Sequence, residues 1–409
     1  MKLSITSETD RLKGVIVHTP GREVSLVNPA LKDELLFDDI IFEEDAREEH
    51  VDMLKIFKAA MPADGRILQI TELFRECLQD SQSQAHTFFI DLLVDAFPED
   101  NLGIIKNDLA ALPPDDLLQF VVEGTTPAIA DFSLSPTPNL VFTRDLAAIA
   151  GSSILLSRPA KKARLREALL METVVRYHPL FSEINENIIK TSIGDSLEGG
   201  DVLVASDKVV LIGMSERTSF SALMNAAQNL LSGTFEYIIA VDIPKQRSSM
   251  HLDTIFTFAS ENECIVFPPA IMEQKDNVSV LTDHNGAIQS APRTSLKSTL
   301  EELLDRDITF IKCGGEDRTT QFREQWTDGA NVFALAPGVI VGYERNRNTF
   351  RVLEEHGYQI IDQFDFIETY RDKPFDPVGR KIAISFSGHE LCRGRGGARC
   401  MTMPILREH

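Results

Sequence analysis

The thiol of Cys400 stands in RGRGGARCMTMPI, residues 393–405, where Arg393, Arg395, Arg399, Gly394, Gly396 and Gly397 crowd ahead of it and an apolar run follows. Far upstream, His251 and Asp253 lie two residues apart in MHLDTIFT, Glu198 and Asp201 share SLEGGDVLV, and Asp145 closes NLVFTRD. A thiol, an imidazole and several carboxylates are the parts needed for covalent catalysis at an electrophilic carbon. The thiolate attacks, the imidazole moves protons, and the carboxylates bind or orient. Each part taken alone also has a plainer reading. A free cysteine is commonly a small core residue, and the Gly-Gly after Glu198 reads as a turn. The RGRGG stretch reads as a solvated loop. The HLD pair fits strand-edge hydrogen bonds or two metal ligands, although no third His or clustered Cys supports a metal site. Their coincidence in one chain favours the catalytic reading.

Such residues need elements to hold them. LKGVIVH, residues 12–18, reads as a buried strand, and residues 31–57 mix acidic and apolar positions in the manner of short surface helices. Residues 71–124 carry helical patterns punctuated by Pro and Gly, which predicts a helical block. After it one pattern recurs: apolar run, polar break, apolar run, charged segment. It is seen in NLVFTRDLAAIAGSSILLSRP, DVLVASDKVVLIGMSERT, HLDTIFTFASENECIVFPPA and ANVFALAPGVIVGYERN. Each reads as a strand pair leading to a helix, a repeat that points to a radial or stacked α/β architecture. The period of two in a strand would place His251 and Asp253 on one face.

Composition limits the partners. The chain has 409 residues, 43% of them apolar, enough for a substantial core. Its 41 basic and 62 acidic residues give a net charge of −21, which repels nucleic acid and anionic membrane surfaces and suits a small cationic ligand. A homo-oligomer is compatible with the sequence. The start of the chain has only short apolar runs broken by charge, and no later segment approaches a membrane span. Five scattered cysteines, without paired zinc spacing, predict free thiols in a cytoplasmic compartment.

In the order PNLVFTRD, EGGDVLV, IGMSERTS, MHLDTIFT, WTDGANVFALAPGVIVGYERN and HELCRGRGGARCMTMP, the chain resembles the arginine deiminase family along nearly its whole length. The segment VIVHTPGREVSLVNPALKDELLFDDI resembles the opening of the same family. The resemblance implies one catalytic domain over residues 1–409: a five-bladed, pseudo-symmetric α/β propeller of ββαβ modules, with residues 71–124 as a helical insertion. It implies Cys400 as nucleophile, His251 as acid and base, Glu198 as its orienting group, and Asp145 and Asp253 as the grip on the guanidinium. Asn139, Phe142, Arg164, Arg217 and Arg395 would line the pocket or meet the amino-acid end of the substrate. No cofactor and no metal are implied. The sequence departs from the commoner family pattern at Leu146, Ala147 and Ala398.

These residues suit the implied chemistry. A guanidinium offers five N–H donors in one plane and keeps its charge, so carboxylates on two sides can fix it. A thiolate can then attack its central carbon while an imidazolium protonates the departing nitrogen. The product from free L-arginine would be L-citrulline, with ammonia released. Alternatives within the superfamily are an amidinotransferase and a deiminase of agmatine or methylated arginine. A binding protein without turnover would keep the fold but has no use for the complete catalytic set, and nothing resembles the nucleophile-bearing long helix of a papain-like protease.

Overall fold

In the computed structural model, residues 3–79, 83–371 and 373–408 are described. They form a mixed α/β fold with five separate sheets of three, three, five, four and three strands. Four of the sheets are built on the same unit, an antiparallel hairpin whose second strand pairs in parallel with a later strand, and the remaining sheet repeats the pairing pattern with strands from the two ends of the described chain.

The unit follows from the recurring sequence pattern. Ala147–Ala150 pairs with Ser153–Leu156, which runs parallel to Ile188–Lys190 after the helix Leu165–Tyr177. Val202–Val204, Val209–Met214 and Tyr237–Asp242 repeat it around the helix Phe220–Leu231, and the hairpin Val278–His284 with Ala287–Arg293 widens this sheet to five strands. Phe256–Phe258, Glu263–Val266 and Thr309–Lys312 form the third. In the fourth, Phe333–Ala336 and Val339–Tyr343 are joined to Gln359–Asp362 through Ile382–Phe386. All four strand pairs read from the sequence are present. Their β-branched runs are buried on both faces, as central strands between layers require.

The fifth unit joins the two ends of the described chain. Met403–Glu408 lies antiparallel to Arg11–Val17, which lies parallel to Arg66–Gln69. Between them runs one helix of 18 residues, Glu43–Ala60, instead of the short surface helices expected for residues 31–57. Glu43, Glu44 and Asp45 favour its positive end, and Met53, Ile56, Phe57 and Ala60 bury its apolar side. The single long helix forms because this buried face is continuous; the acidic residues between occupy the outer face.

Within residues 71–124 the described elements are helices, among them Ile70–Cys77, Gln84–Ala96, Lys106–Ala111 and Pro114–Glu123; residues 80–82 of the block lie outside the described residues. Leu73, Phe74, Phe89 and Leu93 join Met171, Val174 and Val175 of Leu165–Tyr177 in one apolar cluster. No described helix is long and apolar enough to cross a membrane.

The strand that follows Cys400 is anchored in the same cluster through Met403 and Ile405, both fully buried. Truncating a buried isoleucine costs about 2–5 kcal/mol through lost transfer energy and cavity formation. Ile405→Ala is therefore expected to lower the urea-unfolding free energy within that range; a loss below about 1 kcal/mol would show that this strand does not tie the chain ends together.

Candidate active site

Asn139, Phe142, Asp145, Glu198, His251, Asp253 and Cys400 are gathered by one device: each sits on the short segment that feeds the first strand of an antiparallel pair, whereas Arg164 stands ahead of the helix Leu165–Tyr177 and Arg217 after the strand Val209–Met214. The 3-10 turn Pro138–Val141 carries Asn139, Phe142 follows it, and the turn Thr143–Leu146 carries Asp145. Glu198 precedes the turn Gly199–Asp201, and His251 precedes the turn Leu252–Thr254 that carries Asp253. Asn331 leads into Phe333–Ala336, and Cys400 into Met403–Glu408.

The strand alternation expected for HLD is not formed. Thr254 Oγ1 donates to the His251 carbonyl at 2.7 Å, and Leu252 N–H donates to Asp201 Oδ1 at 2.8 Å. These local bonds replace ladder bonds and turn the backbone. Asp201 also accepts from Ser215 and Thr218, both at 2.6 Å, and so braces the turn that presents His251.

His251 lies between two acids. Its Nε2 is 2.9 Å from Glu198 Oε2, and its Nδ1 is 3.5 Å from Asp145 Oδ1. Gly200 permits this approach, because a Cβ there would fall 2.7 Å from the ring and 2.9 Å from Asp145 Oδ1. The remaining Glu198 oxygen accepts from Ala160 N–H at 3.1 Å and from Arg217 Nη1 at 3.4 Å. Burial opposes charge on His251, but Asp145 and the Glu198 hydrogen bond outweigh it and raise the imidazole to about 9. Burial likewise opposes charge on Glu198, yet His251, Arg217 and Arg164 bring it down to about 2. The pair is therefore an imidazolium and a carboxylate at neutral pH.

Asp145 and Asp253 share a pattern. One oxygen of each is held by a buried arginine: Asp145 Oδ2 by Arg164, and Asp253 Oδ2 by Arg399 Nη1 at 2.6 Å. The other oxygen of each, Oδ1, is buried and accepts no hydrogen bond among the described residues. Burial raises the Asp253 carboxyl against the pull of Arg399 and His251.

Arg399 was quoted in the sequence only as part of a basic loop. It is 1% exposed, reaches Glu8 at 3.1 Å and the Val202 carbonyl at 3.1 Å, and so fixes Asp253 from the residue next to Cys400. Asn331, within the WTDGAN motif, joins the same parts: its Oδ1 accepts from Cys400 N–H at 3.1 Å and its Nδ2 donates to the Asp253 carbonyl at 2.9 Å. Sequence motifs contained both residues, but only their contacts reveal what they do.

The arginines near Cys400 do not by themselves lower its thiol. Burial and the carboxylates Asp253, Asp145 and Asp328 push the thiol well above its usual value, against a smaller opposing hydrogen bond from Gly397 N–H. The arginines are already engaged by carboxylates and carbonyls. Arg395 stacks on Trp326, 3.6 Å from the ring centre, and donates to the Trp326 carbonyl at 2.6 Å.

Two segments close over these groups. Asn139 donates to the Leu35 carbonyl and Arg247 to the Leu36 carbonyl, both at 2.7 Å, while Asp38 lies near Arg247 and Arg395 and Asp39 pairs with Arg393. Beneath them is a cavity of about 20 Å³ lined by Asn139, Phe142, Asp145, Arg164, Arg217, Arg247, His251, Arg395 and Cys400, among others. Glu198 and Asp253 stand behind that lining. Arg247 is a lining cation that sequence reading missed.

Asp145, Glu198 and His251 place three potential metal-ligand atoms within 4.8 Å of one another. The same carboxylates already carry Arg164 and Arg217, whose fixed positive charges disfavour a divalent cation there. The arrangement suits instead a planar cation that presents N–H groups to the free carboxylate oxygens, with a thiol and an imidazolium at hand.

The fold is that of enzymes that modify guanidino groups. Among solved structures, an amidinotransferase from Microseira wollei matches with a TM-score of 0.53 at 13% identity, over 100% of this chain and 98% of that one. The N-terminal domain of a cyanobacterial arginine dihydrolase matches at 0.51 with 14% identity, over 97% and 98%. At the sequence level, the profile of the arginine deiminase family matches residues 33–407. An arginine deiminase of Listeria monocytogenes serotype 4b is 33% identical over 431 residues, covering 100% of this chain and 98% of the relative. One from Bacillus thuringiensis subsp. konkukian is 34% identical over 435 residues, covering 99% and 98%. The chain belongs to the arginine deiminase family.

The elevated His251 value has a consequence for stability. Because it lies above the ordinary 6.5, the stabilisation is fully present below pH 6.5 and is lost as pH rises towards 9. The unfolding free-energy gap between the parent protein and His251→Asn is expected to narrow steadily from pH 6.5 to 9. A gap that stays constant or widens across that window would mean that the imidazole is not held charged.

Proposed function

We propose that this chain hydrolyses L-arginine to L-citrulline and ammonia through a covalent amidino intermediate on Cys400. The observation that carries this reading is the pair of buried, unoccupied carboxylate oxygens, Asp145 Oδ1 and Asp253 Oδ1, beside a thiol and an imidazolium. The substrate guanidinium donates its N–H groups to them. Its positive charge compensates the acids that suppress the Cys400 thiolate, so binding itself releases the thiol proton.

The thiolate then attacks the guanidinium carbon. Collapse of the adduct breaks one C–N bond as His251 gives its proton to the departing nitrogen, which leaves as ammonia. The neutral imidazole next takes a proton from water, whose oxygen attacks the amidino-thioether. The C–S bond breaks, the thiolate is restored, and the ureido group of citrulline is released with one proton. Glu198 keeps the imidazole oriented through both steps and favours its return to the charged form.

At the other end of the substrate, Arg217 is the first cation for the carboxylate, since it lines the cavity and its Nε has no hydrogen-bond partner among the described residues. Arg164 is bound to Asp145, Glu167 and the carbonyls of Asn139 and Phe142, and reaches the substrate only as the guanidinium takes its place on Asp145. Asn139, Phe142 and Arg395 complete the wall and cover. The same reading treats residues 1–409 as one domain, the five hairpin units as the blades of an α/β propeller, and residues 71–124 as its insertion. It places the enzyme in the cytoplasm, consistent with the five unpaired cysteines, and needs no metal.

The test is turnover by purified protein in the presence of a chelator. L-Arginine is expected to give equimolar citrulline and ammonia, and Cys400→Ser to give neither, because a hydroxyl is a much weaker nucleophile. Agmatine lacks the carboxylate and would leave the Arg217 Nε without a partner in a desolvated site, a cost of about 2 kcal/mol, so arginine should exceed it by more than roughly tenfold in kcat/KM. Arg217→Ala should erase most of that preference. Equal use of agmatine by the parent protein would replace this reading with a deiminase of decarboxylated guanidines, and activity abolished by the chelator would restore the metal reading of Asp145, Glu198 and His251.

A further inference from the structure

Asp201 is fully buried, takes no part in the chemistry proposed above, and is bound from two directions. It ends the 3-10 turn Gly199–Asp201, and because Val202 pairs with Ile212, its carboxylate lies beside Gly213 of the neighbouring strand Val209–Met214. A Cβ on Gly213 would strike both Asp201 Oδ1 and the Cβ of Leu252, so the glycine leaves the space through which the carboxylate reaches the next unit. There Oδ1 accepts from Leu252 N–H at 2.8 Å. Oδ2 serves the other direction and accepts from the hydroxyls of Ser215 and Thr218, each at 2.6 Å.

An ionised carboxylate only accepts, so it dictates the direction of every bond around it. Burial raises Asp201 to about 6, with His251 and the three donors opposing, and it is therefore ionised at neutral pH. Ser215 and Thr218 must give it their hydroxyl protons, which leaves their oxygens to accept from the backbone. Ser215 Oγ accepts from Arg217 N–H at 2.9 Å and from Thr218 N–H at 3.1 Å, and Thr218 Oγ1 accepts from Glu198 N–H at 3.3 Å. The backbone of Arg217 and that of Leu252, the residue after His251, are thus fixed to the two oxygens of one side chain. Arg217 and His251 both line the catalytic hollow.

We propose that Asp201 is a positioning residue that sets the acid–base imidazole of His251 and the carboxylate-binding Arg217 in register, one at each end of the substrate. The inference rests on the roles proposed above for those two residues. A substrate that spans both groups reacts well only when its guanidinium and its carboxylate are met together, so the spacing between imidazole and cation is itself a determinant of specificity. Asp201 touches neither end of the substrate and acts through the turns that carry the groups that do.

The test is steady-state kinetics of full-length Asp201→Ala and Asp201→Asn on L-arginine and agmatine beside the parent, with circular dichroism to show that each variant is folded. Asp201→Ala releases both turns. Its kcat should fall roughly tenfold or more with either substrate, and its arginine-over-agmatine ratio of kcat/KM should fall roughly fivefold or more. Asp201→Asn keeps the volume, but its one amide oxygen can serve either Leu252 N–H or the two hydroxyls, so it should lose one of the two quantities. If Asp201→Ala loses kcat with the ratio intact, or the ratio with kcat intact, the proposal is overturned, as it is by an Asp201→Asn protein equal to the parent in both. Where Asp201→Ala does not fold, the Asp201→Asn result decides. A parent protein that turns over neither substrate would defeat the proposed reaction and leave this inference to a second readout, NMR of the His251 titration and of the Arg217 Nε–H. Both should move in Asp201→Ala, and Asp201 variants that move neither overturn the proposal.

Discussion

A carboxylate removed from water must find a cation or take up a proton, and the centre of this chain buries Glu8, Asp145, Glu198, Asp201 and Asp253 together. The rest of the site follows from how that demand is met. Arg164 and Arg399 each hold a single oxygen of Asp145 and Asp253. His251 carries the charge that balances Glu198. Asp201 receives only neutral donors, two hydroxyls and one N–H, and burial accordingly raises it to about 6. The compensation is partial: it leaves one oxygen on each of Asp145 and Asp253 without a hydrogen-bond donor among the described residues, and under the proposed function a guanidinium plane completes the balance there. The same surplus of negative charge pushes the Cys400 thiol up.

The fold makes this concentration of charge possible. Asp145, Glu198, His251 and Asp253 sit on short segments that enter the first strand of a hairpin, so their backbone is anchored by a buried strand. Cross-links between units then hold the turns together. Arg144 N–H donates to the Cys400 carbonyl at 3.1 Å, Asn331 ties Cys400 to Asp253, and Arg399 ties Asp253 to Glu8. Glycine is needed at the closest approaches; a Cβ on Gly396 would enter the Phe142 ring at 2.2 Å.

Much of this was legible in the sequence, for identifiable reasons. The four apolar strand pairs repeat strongly enough to be read directly, the polar residues at the leading ends of three of them are Asp145, Glu198, His251 and Asp253, and Cys400 stands out by its Gly- and Arg-rich approach. Period-two reasoning failed at His251 and Asp253 because hydroxyl and carboxylate side chains capture the local backbone and make a 3-10 turn. The long helix Glu43–Ala60 was hidden by acidic residues on its outer face. Arg399 and Glu8 are 391 positions apart, so nothing local announces their pairing. The state of the free thiol was not legible for a related reason: the effect of a run of arginines depends on which acids each guanidinium already serves.

The most direct measurement of the central claim is the ionisation of Cys400 in the protein without substrate and with guanidinium ion. The rate of iodoacetamide alkylation, followed on the peptide containing Cys400, reports the thiolate fraction as pH is varied. The account predicts an inflection well above pH 9 in the free protein and a marked downward shift when guanidinium occupies the free oxygens of Asp145 and Asp253. An inflection near or below the ordinary thiol value of about 8.5 in the free protein, unmoved by guanidinium, would contradict it.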